Sequence, residues 1–104
     1  MATLVSAPIL RLRSGPLAGK VYEIRNALRI GRHPYNEVSL EDPSLSRYHC
    51  WITVQQDGLV FIEDLASANG TFVGEERIAS RHPLRPGMVV RVGTTEIVFT
   101  EDAA

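Results

Sequence analysis

A single cysteine, Cys50, stands among the 104 residues, so no disulfide can form within the chain and the core alone must hold the fold. On its alternating apolar stretch that thiol reads as a small core side chain. Metal-binding spacings are missing too. One thiol and three dispersed histidines (His33, His49 and His82) match no structural or catalytic zinc pattern, so neither a metal nor another cofactor is expected. Positive charge is not in excess: 11 Lys+Arg against 12 Asp+Glu give a formal net charge of −1. A domain that neutralises several phosphates of a nucleic acid shows a clear basic surplus, so that partner class is disfavoured. Lysine is nearly absent, Lys20 being the only one, a bias that genomic base composition explains without invoking function. Met1 to Pro8 carry no charged n-region and no long apolar run, which excludes a secretory signal or membrane span there; a cytoplasmic location away from membranes is expected.

What is present is an ordinary globular composition, 44% hydrophobic and 22% charged. The length admits one domain, residues 1–104, which should bury somewhat under ~70% of its unfolded surface. The starting Met1 and this length favour a stand-alone protein, while a domain excised from a longer chain would read the same. Turn signals recur at short intervals: Ser14-Gly15-Pro16, Asn26, Gly31, Asp42-Pro43-Ser44, Asp57-Gly58, Asn69-Gly70, Pro86-Gly87 and Gly93-Thr94. Between them the apolar residues alternate, as in Tyr48, Cys50, Ile52 and Val54 against His49, Trp51, Thr53 and Gln55, and Leu10 and Leu12 against Arg11 and Arg13. Strands are predicted over residues 9–13, 21–24, 28–30, 38–40, 48–55, 59–63, 71–73, 88–92 and 96–100. Asp57-Gly58 marks a hairpin, and residues 71–80 hold two short strands around Gly74-Glu75-Glu76. No stretch supports a helix of three turns. The expected architecture is all-β, a sandwich of two mostly antiparallel sheets with its loops gathered at one end; the core spans about 9–99, with 1–6 and 101–104 loose.

Three of those loops hold unusual polar content. Gly31-Arg32-His33-Pro34-Tyr35-Asn36 joins a permissive glycine to a guanidinium that can grip two oxygens. Asp42 to His49 supplies Ser44, Ser46 and Arg47, and Ala66 to Thr71 supplies Asn69 and a glycine turn. Taken singly, each is read as solvated charge or plain turn chemistry. Together they make a donor-rich set suited to a doubly charged tetrahedral anion such as a phosphate monoester.

In order and spacing these residues resemble the forkhead-associated (FHA) domain, a phosphothreonine-binding β-sandwich. The matching residues are Gly31-Arg32, then Ser46-Arg47-Tyr48-His49 with Ser46 fourteen residues after Arg32, then Asn69-Gly70-Thr71 with Asn69 twenty-three after Ser46. Leu84 to Gly93 resembles the family's closing hairpin, so the likeness runs from about Ile9 to Phe99. The resemblance implies that Arg32, Ser46 and Arg47 contact phosphate and that Asn69 holds the backbone of the bound peptide. It further implies that Gly31, His49, Gly70 and Thr71 support the site, His49 by fixing the loop that bears Ser46. Two departures are visible. Gly74 stands where many members have asparagine, and Ala68 stands where some have a hydroxyl residue, the latter costing about 0.5–1.5 kcal/mol if that group served the ligand.

The resemblance implies a non-catalytic phosphothreonine reader in serine/threonine kinase signalling, whose partner is a phosphorylated protein or peptide. Preference over phosphoserine would rest on a place for the threonine methyl, worth about 0.8 kcal/mol. The alternative is an interaction or dimerisation module on the same fold that ignores phosphorylation. An enzyme is not expected: Ser46-x-x-His49 running into a strand does not set nucleophile against base, and no Gly-x-Ser-x-Gly elbow occurs. Thr3, if phosphorylated, is a candidate to occupy the domain's own site or a neighbour's.

Overall fold

The computed structural model describes residues 7–102; Thr3 and the rest of 1–6, and 103–104, lie outside the described residues. Eleven strands follow one another: β1 Ala7–Leu12, β2 Val21–Glu23, β3 Ala27–Gly31, β4 Val38–Ser39, β5 Cys50–Val54, β6 Val60–Asp64, β7 Thr71–Val73, β8 Glu76–Arg77, β9 Arg81–Leu84, β10 Val89–Val92 and β11 Thr95–Asp102. They form two sheets, ordered β2-β1-β11-β10-β7-β8 and β4-β3-β5-β6-β9. The chain is an all-β sandwich with no helix among the described residues, and accordingly none there is long and apolar enough to cross a membrane. All pairings are antiparallel except β3 with β4, where only Ile30↔Val38 and Gly31↔Ser39 face each other.

Period-two alternation fills the space between the sheets. One sheet presents the cross-strand row Val73, Val90, Ile97 and Leu12, and the other presents Leu28, Ile52 and Ile62. All seven are buried. Each such side chain contributes about 1.5–3 kcal/mol by leaving water. One level nearer the loops the rows turn polar: Ile30 and Cys50 continue to Asp64, and across from them Thr71 and Thr95 flank Val92. The core therefore ends in a polar layer directly beneath the loops.

Three sequence expectations are corrected. Residues 81–84 form a strand, β9, that the pattern does not announce because Pro83 cannot donate to a ladder. The strand lies at the edge of its sheet, where a missing donor is tolerated. Glu101 and Asp102 are not loose, since β11 runs through them and pairs Glu101 with Pro8 and Asp102 with Ala7. The stretch predicted over 48–55 starts only at Cys50, because Tyr48 and His49 belong to the preceding loop. The Asp57-Gly58 turn does join β5 to β6, with Gly58 N–H donating to Gln55 O at 2.9 Å.

Successive strands bring the β1–β2, β3–β4, β4–β5, β6–β7 and β10–β11 connections to one pole. The ends of the described chain, Ala7 and Asp102, are paired at the other.

Candidate functional site

Arg32 leaves β3 directly, and its loop is sewn to the β4–β5 loop. Arg32 N–H donates to Ser46 O and His33 N–H to Arg47 O, both at 3.1 Å, while the Asn36 amide donates to Arg47 O and to His33 O at 2.8 Å. Gly31 permits this closeness, because a Cβ there would run into the Arg47 carbonyl oxygen and stand 2.9 Å from the Asn36 amide nitrogen. Arg32 donates its Nε–H to Leu45 O at 3.1 Å. That bond uses one of the five guanidinium donors, and the terminal nitrogens of this exposed side chain have no hydrogen-bond partner among the described residues. Arg47 is exposed and its backbone carbonyl is pinned, while among the described residues no hydrogen bond or ion pair holds its guanidinium.

Ser46 is held from below and from the side. Its N–H donates to His49 Nδ1 at 3.1 Å, and its Oγ accepts from Ala68 N–H at 3.0 Å. With the oxygen already serving as acceptor there, the hydroxyl proton is available to donate to an anion. His49 is completely buried. Because Nδ1 accepts, the ring proton sits on Nε2 and is donated to Gly70 O at 2.8 Å. One neutral imidazole thus ties the loop bearing Ser46 to the loop bearing Asn69.

Asn69 is exposed and donates through Nδ2 to Ser44 O at 2.7 Å, a second tie between those loops. Gly70 has φ +90°, a conformation that favours glycine, and the Arg77 guanidinium covers it. Thr71 is buried and donates to Asp64 Oδ1 at 2.7 Å, across the sandwich from one sheet to the other. Asp64 also accepts from the Ser67 hydroxyl at 2.5 Å and from Ser67 N–H at 3.0 Å. Burial pushes its carboxyl up, but the Ser67 and Thr71 hydrogen bonds outweigh that and hold it below the usual carboxylate range. Ala66, at the start of this loop, has φ +55°, a strained conformation for a residue with a Cβ.

Asp42 anchors the far side. Its carboxylate accepts from the Ser44 hydroxyl at 2.6 Å and Ser44 N–H at 2.9 Å, and from the Thr94 N–H and hydroxyl at 3.2 Å, clamping the β4–β5 loop to the β10–β11 turn. These donors, the Ser44 hydroxyl foremost, pull its pKa down to about 2. Beside it a groove of about 550 Å³ opens between the two loops, walled by Leu17, Leu40, Pro43 and Thr94.

All eight sequence-predicted residues therefore meet at one pole. Arg32, Ser46, Arg47 and Asn69 present groups to solvent, while Gly31, His49, Gly70 and Thr71 lie buried beneath them. Sequence reasoning assigned no role to Asn36, Asp42, Asp64, Ser67 or Arg77. Asp42 carried a readable signal, since Asp-x-Ser is the local pattern of an Asx turn.

A β-sandwich whose exposed donors gather on three interlocked loops is the class these features define. The FHA domain family model matches residues 28–93, and the chain belongs to that family. It is 35% identical over 96 residues to the oxoglutarate dehydrogenase inhibitor of Corynebacterium diphtheriae, covering 91% of this chain and 66% of the relative. It is 32% identical over 92 residues to the glycogen accumulation regulator GarA of Mycobacterium tuberculosis, covering 88% and 56%. The chain thus spans less than two thirds of these relatives' lengths. Among solved structures, the FHA domain of CT664 from Chlamydia trachomatis superposes with a TM-score of 0.86 at 30% identity, covering 91% of this chain and 97% of that one. M. tuberculosis EmbR, solved with a low-affinity phosphopeptide, superposes with 0.84 at 31% identity, covering 95% and 25%.

Proposed function

We propose that this chain is a non-catalytic reader of phosphothreonine in proteins of a serine/threonine kinase pathway, acting in the cytoplasm. One observation carries the reading: the structural bonds of the apical loops consume the inner donors and leave the outer ones free. Arg32 keeps its terminal nitrogens, Ser46 its hydroxyl proton and Arg47 its whole guanidinium. Phosphate would meet Arg32 and Ser46 already in place, which reduces the ordering cost of binding, while Arg47 would be ordered on contact. Asn69, fixed through Nδ2, has its Oδ1 to accept a backbone N–H of the peptide. The groove beside Asp42 offers room for an apolar side chain of the same peptide. EmbR's phosphopeptide complex supports the reading by kinship. So does a neighbour at TM-score 0.81 and 30% identity, described by its phosphothreonine-dependent FHA interactions.

Hydrolysis finds no support in the geometry. His49 faces the backbone N–H of Ser46 and not its hydroxyl, and both ring nitrogens are engaged, so these two residues are not set as nucleophile and base.

The test is titration of 15N-labelled protein with phosphothreonine, phosphoserine and unphosphorylated versions of a degenerate peptide library. Amides around Arg32, Ser46, Arg47 and Asn69 are expected to shift with phosphothreonine only. Arg32→Ala is expected to weaken binding about 10- to 100-fold, the loss of a charge-assisted contact. Association that ignores the phosphate and survives Arg32→Ala would replace this reading with the phosphorylation-independent interaction module.

A further inference from the structure

The outward face of the β2-β1-β11-β10-β7-β8 sheet carries a row of side chains that the apical site leaves unused. β8, β7 and β10 set Arg77 opposite Phe72 and Phe72 opposite Arg91. The Arg91 guanidinium lies over the Phe72 ring, 4.2 Å from its centroid. Arg77 reaches toward the loops instead. A Cβ built on Gly70 would stand 2.5 Å from Arg77 Nε and 2.9 Å from Cζ, so this guanidinium lies against the residue next to Asn69.

Both arginines are exposed, and neither forms an ion pair among the described residues. The carboxylates paired with or adjoining them on their strands are drawn elsewhere. Glu96, opposite Arg91 on β11, is held by Arg13 at 2.9 Å, and Glu76, next to Arg77, lies toward His82 at 3.9 Å. In a chain of net charge −1, these two guanidiniums, one against Gly70 and one stacked on Phe72, form a local positive strip that begins beside the apical site. Strands lie ~4.8 Å apart, so two spacings separate the backbones of Arg77 and Arg91 by about 10 Å, the span of about three residues of extended peptide. Guanidinium forks match carboxylate and phosphate oxygens, and stacking on Phe72 holds the Arg91 fork in place.

We propose that Arg77, Phe72 and Arg91 form a second recognition surface, continuous with the apical site, for acidic groups on the peptide flank that leaves over the Asn69-Gly70 turn. The acidic group is a carboxylate or a second phosphate. The inference rests on the phosphothreonine reading, and its test keeps the two apart.

Three phosphothreonine peptides are titrated at several salt concentrations. One carries two glutamates three residues apart on a flank, one carries glutamines at the same positions, and one carries a single phosphoserine there; each flank is tried in turn. The glutamine peptide tests the phosphothreonine reading alone. On one flank, each carboxylate is expected to tighten binding about two- to fivefold over glutamine, an advantage that shrinks as salt is raised. The phosphoserine arm tells whether a second phosphate serves equally well. Arg77→Gln and Arg91→Gln are each expected to lower the glutamate-to-glutamine affinity ratio, the double variant to bring it to one, and Arg77→Glu to invert it. Because the ratio is taken within each variant, a general disturbance of the loops cancels. A wild-type ratio of one on both flanks, or a ratio that survives the double substitution, overturns the proposal while leaving the apical reading intact. Failure of the glutamine peptide to bind wild-type protein at all overturns both.

Discussion

Replacing Gly31 by alanine is the sharpest probe of how the site is held. Gly31 does not have a positive φ, so the substitution carries no backbone strain, and its whole cost is the space its methyl group needs. That space is occupied by the Arg47 carbonyl and the Asn36 amide, which are bonded to each other at 2.8 Å. Neither is a flexible side-chain tip free to swing away, so the β4–β5 loop must move outward. Three bonds between the loops stretch as it does, those from Arg32 N–H, His33 N–H and the Asn36 amide. Overpacking costs about 1–3 kcal/mol and each weakened bond adds up to about 1 kcal/mol, so a loss of about 2–4 kcal/mol is expected. In a domain of this size that lowers the melting temperature by roughly 10–25 °C. Thermal and urea unfolding measure it, with Gly58→Ala as the control. Gly58 has φ +87° with nothing within 4 Å of a built Cβ, so it isolates backbone strain, at about 1 kcal/mol. Phosphothreonine peptide affinity is expected to fall about tenfold or more as Arg32 and Ser46 separate. An alanine variant that melts within a few degrees of wild type and binds peptide normally would refute the contact argument.

Three further outcomes are expected. His49→Ala removes a buried ring and leaves Ser46 N–H and Gly70 O without partners, costing about 3–5 kcal/mol in urea unfolding, with exchange broadening in both the β4–β5 and β6–β7 loops. Asp42 has its pKa lowered from 3.8 to about 2, so its contribution to stability is complete above about pH 5 and disappears as pH falls through 4 toward 2. Asp64 acts in the same direction. Urea midpoints measured down this range should fall less steeply in Asp42→Asn than in wild type, by under about 1 kcal/mol because the group is partly exposed. Burial, aided by the Asp64 charge and opposed by a hydrogen bond with Thr71, pushes the Cys50 thiol up to about 12. A thiol reagent at pH 8 should therefore label the folded protein only at the rate of its opening, and labelling that is fast without denaturant would contradict the packing around Cys50.

Much of the sandwich is legible in residue order because its central strands alternate buried and outward residues and its turns carry glycine, asparagine or aspartate. Ile52 and Ile62 betray their face through their neighbours. β9 escapes because Arg81-His82-Pro83-Leu84 has one buried apolar residue and a proline, so its pairing is decided by β6 alongside rather than by its own composition. The site divides in the same way. Arg32, Ser46, Arg47 and Asn69 declare themselves by donor chemistry in turn-rich segments. Asn36 and Asp64 do not, since their partners lie 11 residues away at Arg47 and across the sandwich at Thr71. An amide or carboxylate in a loop sequence looks the same whether it meets water or ties two loops together, and only the folded chain distinguishes them.

The pairing of Ala7 with Asp102 sets where this domain can be tethered. Any polypeptide extending from Ala7 or Asp102 starts at the pole remote from the apical loops. The same geometry sorts ligands by reach. A phosphorylated segment on such a tether must travel back along β1, a run of ~17–20 Å, before it can enter its own domain's loops, which takes at least about six extended residues. Shorter tethers can present their phosphate only to another molecule. Beyond that length, occupation from within the same chain becomes a contest of effective concentration against free partners, and linker length alone shifts the balance between self-capture and capture in trans.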